Sequence, residues 1–200
     1  MTLVKTLAAS AVALCALQAQ AAITTSSSSA VPVGPVTYGF EPSDLLPSFI
    51  TLSGGHVFAN GDPGDTVITA KPPGAVGRWW SVGPSAPQTP TGTMTFSMGV
   101  TEVSFLWGSP DAYNTLEING TAFNKTLLGT SLTGDRSVGV YLTVTATDGD
   151  VINSLNFTSR TNAFEMDNFR VTAVPEPETY ALMLAGLAAV AFVVRRRKPA

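Results

Sequence analysis

The chain has 200 residues and a formal net charge of −3; 12% of its residues are charged and 44% are hydrophobic. That length suits a single domain with short flanking segments. Residues 22–174 contain 12 acidic and 6 basic side chains, a net charge of −6, which argues against nucleic acid or an anionic membrane surface as a partner.

The N-terminus has the pattern of a secretory signal peptide. Lys5 supplies a positive charge, residues 7–17 are apolar, and residues 19–21 (AQA) have the small-x-small form that signal peptidase cuts. We predict a signal peptide over residues 1–21, with cleavage after Ala22 as the alternative. Cys15 lies in the apolar run without the usual lipoprotein residues before it, so we interpret it as apolar filler. Removal of the signal peptide takes this cysteine with it, so we expect a mature chain with no disulfide, thiol nucleophile or cysteine metal site.

Residues 22–35 are rich in Ser, Thr and Pro, and we predict a disordered leader there. Residues 36–173 show short apolar alternations separated by turn residues, which predicts one all-β domain. Strands are expected at 49–52, 56–59, 66–70, 78–82, 93–98, 101–107, 138–146, 151–157 and 163–173. Asn119-Gly120 predicts a hairpin turn and Asp167-Asn168 a bulge. Eight or nine such strands predict a two-sheet antiparallel β-sandwich, jelly-roll-like, with first and last strands adjacent.

The body contains one histidine, His56, on a predicted strand, which is typical of a structural residue. No hydrolase triad, P-loop or dinucleotide-binding motif is present in the sequence. We therefore expect a protein that is not an enzyme. A glycosidase that needs only two carboxylates is the distant alternative.

One block combines aromatic, acidic and amide side chains within eight residues: Trp107, Asp111, Tyr113 and Asn114. Aromatic faces stack on sugar rings, while carboxylate and amide groups bind hydroxyls, so the block is a candidate glycan site. The competing interpretation is that Trp107 closes the core and Asp111 caps a turn. For Trp79-Trp80, strand alternation predicts one buried and one exposed ring.

An early glutamate and a late-strand aspartate also resemble the calcium site of carbohydrate-binding-module jelly rolls. On that resemblance the candidate ligands of a structural Ca²⁺ are Glu41 and Asp167, with Asn168 as a weaker one. The alternative is that Asp167 and Asn168 only satisfy backbone groups at the bulge.

The C-terminal segment, residues 174–200, has three parts in order. A proline-bracketed triplet comes first: Pro175, Glu176 and Pro177. An uncharged run over residues 180–194 follows, which we predict to be a transmembrane helix. A stop-transfer basic tail ends it: Arg195, Arg196, Arg197 and Lys198.

This arrangement resembles the PEP-CTERM sorting signal of Gram-negative bacteria. The resemblance implies an exported protein that passes transiently through the inner membrane, where an exosortase cuts near the triplet and transfers the body to the cell surface or extracellular matrix. From it we expect a structural or adhesive role associated with exopolysaccharide. A carbohydrate-binding module that uses residues 107–114 is the alternative.

Overall fold

The computed structural model describes residues 22–123, 137, 139–174 and 177–196. Within these residues there are ten strands and one helix: β1 Ala22–Ser28, β2 Ile50–Gly54, β3 His56–Phe58, β4 Trp79–Val82, β5 Thr91–Gly108, β6 Asn114–Ile118, β7 Thr121–Phe123, β8 Gly139–Thr147, β9 Ile152–Ser159, β10 Phe164–Ala173 and α1 Pro177–Arg196. The predicted signal peptide, residues 1–21, lies outside the described residues. The prediction of an all-β body is confirmed.

Every strand pairing in the sheet is antiparallel, and the main strand order is β3-β4-β10-β5-β9-β6-β7. Strand β5 is the centre of this network. Its first half pairs with β2 and β9, and its second half pairs with β8 and β10. The pairing with β9 shifts register between Thr95 and Val100, where the strand passes from one set of partners to the other. Sequence alternation predicts two strands here; the structure has one of 18 residues.

The core is aromatic, and its ring contacts join β9 both to its neighbour β5 and to β4 and β10, with which it has no backbone pairing. Phe157 of β9 lies 5.5 Å from Trp80 of β4, 5.4 Å from Phe105 of β5 and 5.4 Å from Phe164 of β10, measured between ring centroids. All four side chains are almost completely buried. Edge-to-face contacts of this kind add to the apolar burial that stabilises the body.

A long connection, which we call the strap, runs over residues 59–78 and covers the opposite face of β4, β5, β8 and β10. Thr69 Oγ1 accepts a 3.1 Å hydrogen bond from Trp79 Nε1 and contacts Ser81 Oγ at 2.9 Å. Ala75 packs with Leu106 and Tyr141. A side chain at Gly108 would collide with Pro72, since a Cβ there would lie 2.8 Å from the Pro72 Cα, so glycine lets the strap approach the sheet.

The strap corrects two expectations. Both Trp79 and Trp80 are buried, at 0% and 2% exposure, because the strap covers the face on which one ring was expected to meet solvent. Residues 66–70 were expected to form a strand, but they turn instead: the backbone N–H groups of Val67 and Ile68 both donate to the Gly64 carbonyl, at 3.1 and 2.9 Å.

The predicted disordered leader over residues 22–35 is also wrong in its first half. Residues 22–28 form β1, which pairs with β8 from Ala22↔Thr147 to Ser28↔Tyr141. Ile23 packs against the core, and Thr24 and Thr25 have the β-branched side chains that strands favour.

The predicted local turns are confirmed. Asn119 and Gly120 both have positive φ, 50° and 80°, as a type I′ turn between β6 and β7 requires. Asp148 and Gly149, in the turn between β8 and β9, also both have positive φ. The predicted bulge in β10 is present as a register shift between Asp167 and Arg170, with Asn168 at φ 54°.

The predicted apolar C-terminal helix is present as α1. Among the described residues, no helix combines the length and the apolar character that crossing a membrane requires. The transmembrane prediction for residues 180–194 is corrected accordingly. An uncharged run of 15 residues rises only about 22 Å at 1.5 Å per residue, against a hydrocarbon core of about 30 Å.

Candidate functional site

Strand β10 carries two carboxylates on the face that the strap covers. Phe164 and Met166 belong to the aromatic core, so the alternating residues Glu165 and Asp167 are directed away from it. Their exposures are 3% and 0%. Burying carboxylates this completely costs free energy unless their oxygens are satisfied or neutralised, and each therefore marks a place where the strap and sheet must supply partners.

Glu165 borders a polar cavity of about 150 Å³. The lining residues come from the strap, the β5–β6 connection, the end of the β9–β10 connection and β10 itself: Ile68, Thr69, Ser109, Asp111, Tyr113, Asn162, Ala163 and Glu165. Glu165 Oε1 accepts a 3.0 Å hydrogen bond from the Ala70 amide, which ties the strap to β10 at this cavity. Ser109 lies at φ 47°, a left-handed conformation that is uncommon for residues other than glycine. We call this cavity the Asp111–Glu165 pocket.

The tyrosine of this pocket has two oxygen neighbours. Tyr113 Oη lies 2.5 Å from Asp111 Oδ2 and 2.7 Å from the Asn162 carbonyl oxygen. A phenol carries one proton, so it can donate to only one of these acceptors at a time. The pocket therefore combines acceptor oxygens with a hydroxyl that can switch partner, a set of groups suited to binding hydroxyl-bearing ligands.

The structure separates the four residues of the predicted glycan block. Asp111 and Tyr113 line the pocket. Trp107 is 0% exposed and stacks on Phe164 at 4.6 Å, so its ring has no open face for a sugar. Asn114 is 3% exposed, and its Nδ2 donates to the Ala163 carbonyl at 3.0 Å. Trp107 and Asn114 thus support the walls of the site from within.

Sequence reasoning missed Glu165, Asn162, Ser109 and Thr69 as members of this pocket. The available signal was Glu165 itself, a carboxylate between two large apolar residues of a predicted strand. Its neighbours could not be foreseen, because Thr69 and Asn162 reach the site from segments far apart in the chain.

The second carboxylate, Asp167, lies in an acidic cluster with Glu41 and Asp44. The predicted neighbourhood of first and last body segments is present: Tyr38 and Phe169 exchange backbone hydrogen bonds of 3.0 and 3.1 Å. Glu41 Oε1 accepts from the Arg78 amide at 2.9 Å, and Asp44 Oδ2 accepts from the Gly39 amide at 2.8 Å.

Asp167 Oδ1 accepts a 2.7 Å hydrogen bond from the Asn168 amide, while its buried Oδ2 has no hydrogen-bond partner. The pKa of Asp167 is raised to about 7, mainly by burial and also by the negative charges of Glu41 and Asp44, against the lowering effect of the Asn168 and Val76 backbone amides. Either a proton on this carboxyl or a bound cation would compensate the negative charge of the buried oxygen.

The candidate calcium ligands are therefore neighbours, but their geometry is incomplete as a metal centre. In the part of the chain that the structure describes, no group of three or more His, Cys, Asp and Glu side chains is placed to hold a metal ion. Ca²⁺ takes six to eight oxygen ligands. A calcium ion here would depend on Asp167 Oδ2 and Glu41 with added carbonyl, amide or water oxygens.

His56 belongs to neither site. Its ring packs edge-to-face on Phe58 at 4.7 Å, next to the strap side of β3, which fits the structural role expected for it.

At its other end, β10 leads directly into the C-terminal segment. The Val174 amide donates to the Gly99 carbonyl at 3.0 Å, and α1 begins at Pro177. Pro175 and Glu176 of the triplet, and Arg197 and Lys198 of the basic tail, lie outside the described residues; Arg195 and Arg196 end α1.

A family model of the PEP-CTERM protein-sorting motif matches residues 173–198. The chain carries a PEP-CTERM sorting signal.

The PEP-CTERM signal marks an exported protein that an exosortase processes on its way to the cell surface. The match begins at Ala173, the last residue of β10, so the sorting signal starts where the folded body ends. Searches of curated proteins and of solved structures found no match to this chain. The body's function must therefore be argued from its own sites.

The raised pKa of Asp167 predicts a specific dependence of stability on pH. Between about pH 4 and pH 7 the folded state binds a proton that the unfolded state releases, so the free energy of unfolding should fall as pH rises through this interval and level off above it. The variant Asp167→Asn should flatten the profile and be more stable than the parent at pH 8, by up to about 4 kcal/mol for a pKa raised from 3.8 to about 7.

Chemical denaturation in EDTA from pH 5 to pH 8.5 measures this profile. The matched control is Asp148→Asn, which neutralises an exposed turn carboxylate and should leave the decline intact. A parent profile that rises from pH 5 to pH 7, or an Asp167→Asn profile that keeps the decline, would contradict the assignment to Asp167.

Proposed function

We propose that this protein is a non-enzymatic component of the cell surface or extracellular matrix of a Gram-negative bacterium, with a structural or adhesive role associated with exopolysaccharide. The observation that carries the proposal is the PEP-CTERM motif at residues 173–198, immediately after the last strand of the body. Signal peptidase would remove residues 1–21, and an exosortase at the inner membrane would remove the C-terminal signal.

A rigid body suits this role. The two halves of β5 carry separate sets of partner strands, and rings from β4, β5, β9 and β10 converge on Phe157. We infer that the two sets fold over one another as the layers of a jelly-roll-like sandwich, with the rings as the shared core. The aromatic packing and the strap support a body that resists deformation outside the cell without disulfides.

The second candidate is carbohydrate binding, and the Asp111–Glu165 pocket favours it. Its lining offers carboxylate, hydroxyl and amide groups, and its volume of about 150 Å³ can admit several waters or the hydroxyl-bearing edge of a sugar. The predicted stacking role of Trp107 has no counterpart, because that ring is in the core. Recognition would thus depend on hydrogen bonds from Asp111 and Tyr113 more than on an aromatic platform.

The calcium prediction is retained as part of this proposal. The buried Asp167 Oδ2 and the nearby Glu41 and Asp44 supply negative charge that a divalent cation would neutralise. Asn168, at the bulge, is the weaker candidate. A calcium ion would fasten the first body segment to β10, a structural contribution and not a catalytic one.

The sorting function predicts the fate of the triplet variant. Replacing Pro175, Glu176 and Pro177 by alanine should leave full-length precursor in the cell, because the processing enzyme loses its recognition segment. The control replaces Pro32 and Pro35, which lie in an exposed or half-exposed N-terminal segment, and should be processed normally. Mass spectrometry of the surface fraction checks the outcome. Surface protein that still contains residues 180–200 would overturn the sorting proposal.

The pocket predicts how glycan binding should respond to mutation. On a glycan array that includes oligosaccharides of the producing cell's own exopolysaccharide, Asp111→Asn and Tyr113→Phe should each weaken binding about tenfold, the effect of losing one good hydrogen bond. The exposed control Glu102→Gln should bind like the parent. Binding that survives both pocket variants would place any glycan elsewhere, and an array without signal would leave only the structural role.

The calcium hypothesis predicts thermal stabilisation. At pH 7.5, Ca²⁺ at a hundredfold excess over Kd should stabilise the fold by about 2.7 kcal/mol, seen as a rise of several degrees in Tm. Asp167→Asn should abolish the rise, and Asp148→Asn should keep it. If EDTA and Ca²⁺ give the same Tm for the parent chain, the acidic cluster holds no calcium.

A further inference from the structure

Strand β1 occupies an edge of the sheet. It pairs with β8 over seven residues, and among the described strands β8 is its only neighbour. The other side of β8 pairs with β5. If β1 leaves, the backbone N–H and C=O groups of β8 that face it become an open edge, which is a template for another strand.

The strand is attached through its backbone pairing with β8 and through threonine hydroxyls at the same seam: Thr24 Oγ1 donates to the Thr145 carbonyl at 3.4 Å, and Thr147 Oγ1 donates to the Ala22 carbonyl at 3.3 Å. Ile23 packs against the core, whereas the side chains of residues 24–28 are half-buried or exposed. Backbone hydrogen bonds of the same register would form equally well if an identical β1 came from another molecule. The β8 edge therefore has no means of distinguishing its own β1 from that of a second copy.

The connection from β1 to the body has few attachments. Residues 29–36 form no strand, and Val31 and Val33 are 63% and 102% exposed. Arg170 Nε donates to the Gly34 carbonyl at 3.1 Å, and the same guanidinium lies 5.3 Å from the Tyr141 ring. We call residues 29–36 the β1 linker.

The linker must cross several strands to let β1 pair within its own molecule. Tyr38 is hydrogen-bonded to Phe169 on β10, and the order from there to β1 is β10, β5, β8 and β1. With Tyr38 on the side of β10 away from β5, the crossing spans four strand spacings, about 19 Å. The ten Cα–Cα steps from Ser28 to Tyr38 reach up to about 35 Å, so the natural linker spans it with slack.

We propose that β1 is an exchangeable strand: it pairs with the β8 edge of a second copy of this chain and thereby links molecules. Exchange conserves the β1–β8 hydrogen bonds, and only the path of the linker differs between the two states. A tether of this length gives the molecule's own β1 an effective concentration of order millimolar. Exchange therefore prevails where the local concentration of the protein is about millimolar, or where the linker is too short to place β1 on the molecule's own β8 edge. This inference goes beyond sorting and the pocket and depends on neither.

Mixed disulfides test the exchange directly. Thr24 and Thr145 are register partners, so Thr24→Cys in one copy and Thr145→Cys in another can join only if β1 of the first lies on β8 of the second. Both full-length chains carry Cys15→Ala and tags of different size, are co-expressed with export intact, and are oxidised and separated on a non-reducing gel. The matched control is Thr115→Cys with Thr158→Cys, register partners on β6 and β9. We expect a mixed dimer from the first pair at several times the control level.

Changing the length of the β1 linker is the second test of the proposal. Deleting residues 29–34 leaves four steps, about 14 Å at most, which is shorter than the crossing. This variant should form the mixed disulfide several-fold more and run as a dimer or larger species in light scattering. Inserting eight Gly/Ser residues after Gly34 should lower both the yield of mixed disulfide and the fraction of dimer or larger species. A mixed disulfide no stronger than the control in the parent and in the deletion variant, with the deletion variant monomeric, would overturn the proposal.

Discussion

The pairing of β5 with four other strands is the constraint on which the rest of the described fold depends. The 18-residue strand serves two sets of partners, and the register shift between Thr95 and Val100 in its pairing with β9 lies between them. Gly99 lies inside this stretch against the Val151 side chain, where a Cβ would approach to 2.8 Å. This close approach therefore needs a residue without a side chain at position 99. β9 pairs mainly with the first half of β5 and β10 with the second, and their rings Phe157 and Phe164 meet at 5.4 Å in the core.

The strap adds a second layer of constraint, this one polar. It covers a face of the sheet that bears two carboxylates, and the two are handled differently. Glu165 is tied to the Ala70 amide and opens on a cavity. Asp167 keeps a buried oxygen without a partner and a pKa near neutrality. A core made only of apolar contacts would be less costly, so these groups are the part of the body that stability alone does not explain.

Much of the body could be predicted from local pattern, because its strands alternate cleanly and its turns have the residues that positive φ requires. Asn119-Gly120 and the bulge at Asp167-Asn168 are signals that act within a few residues. The failures involve distant partners. The Ser/Thr-rich residues 22–28 resemble a leader in isolation, yet they find an edge about 120 residues away. Residues 66–70 have strand composition, but hydrogen bonds of Thr69 with Trp79 and Ser81 and of Ala70 with Glu165 hold the segment over the face of the sheet instead. The pocket could be predicted only in part for the same reason. Asp111 and Tyr113 belong to one sequence motif, whereas Glu165 and Thr69 are distant in sequence and join the pocket only in the folded chain.

Strand β10 joins the two functional ends of the molecule. Glu165, the second residue of the strand, borders the pocket, and its last residue, Ala173, meets the sorting signal. Ten residues of extended chain separate these ends by about 30 Å. An attachment through the C-terminal end of β10 would therefore hold the body by the end of this strand that lies away from the pocket. In such an attachment the length of β10 would set the distance between the pocket and the attachment point.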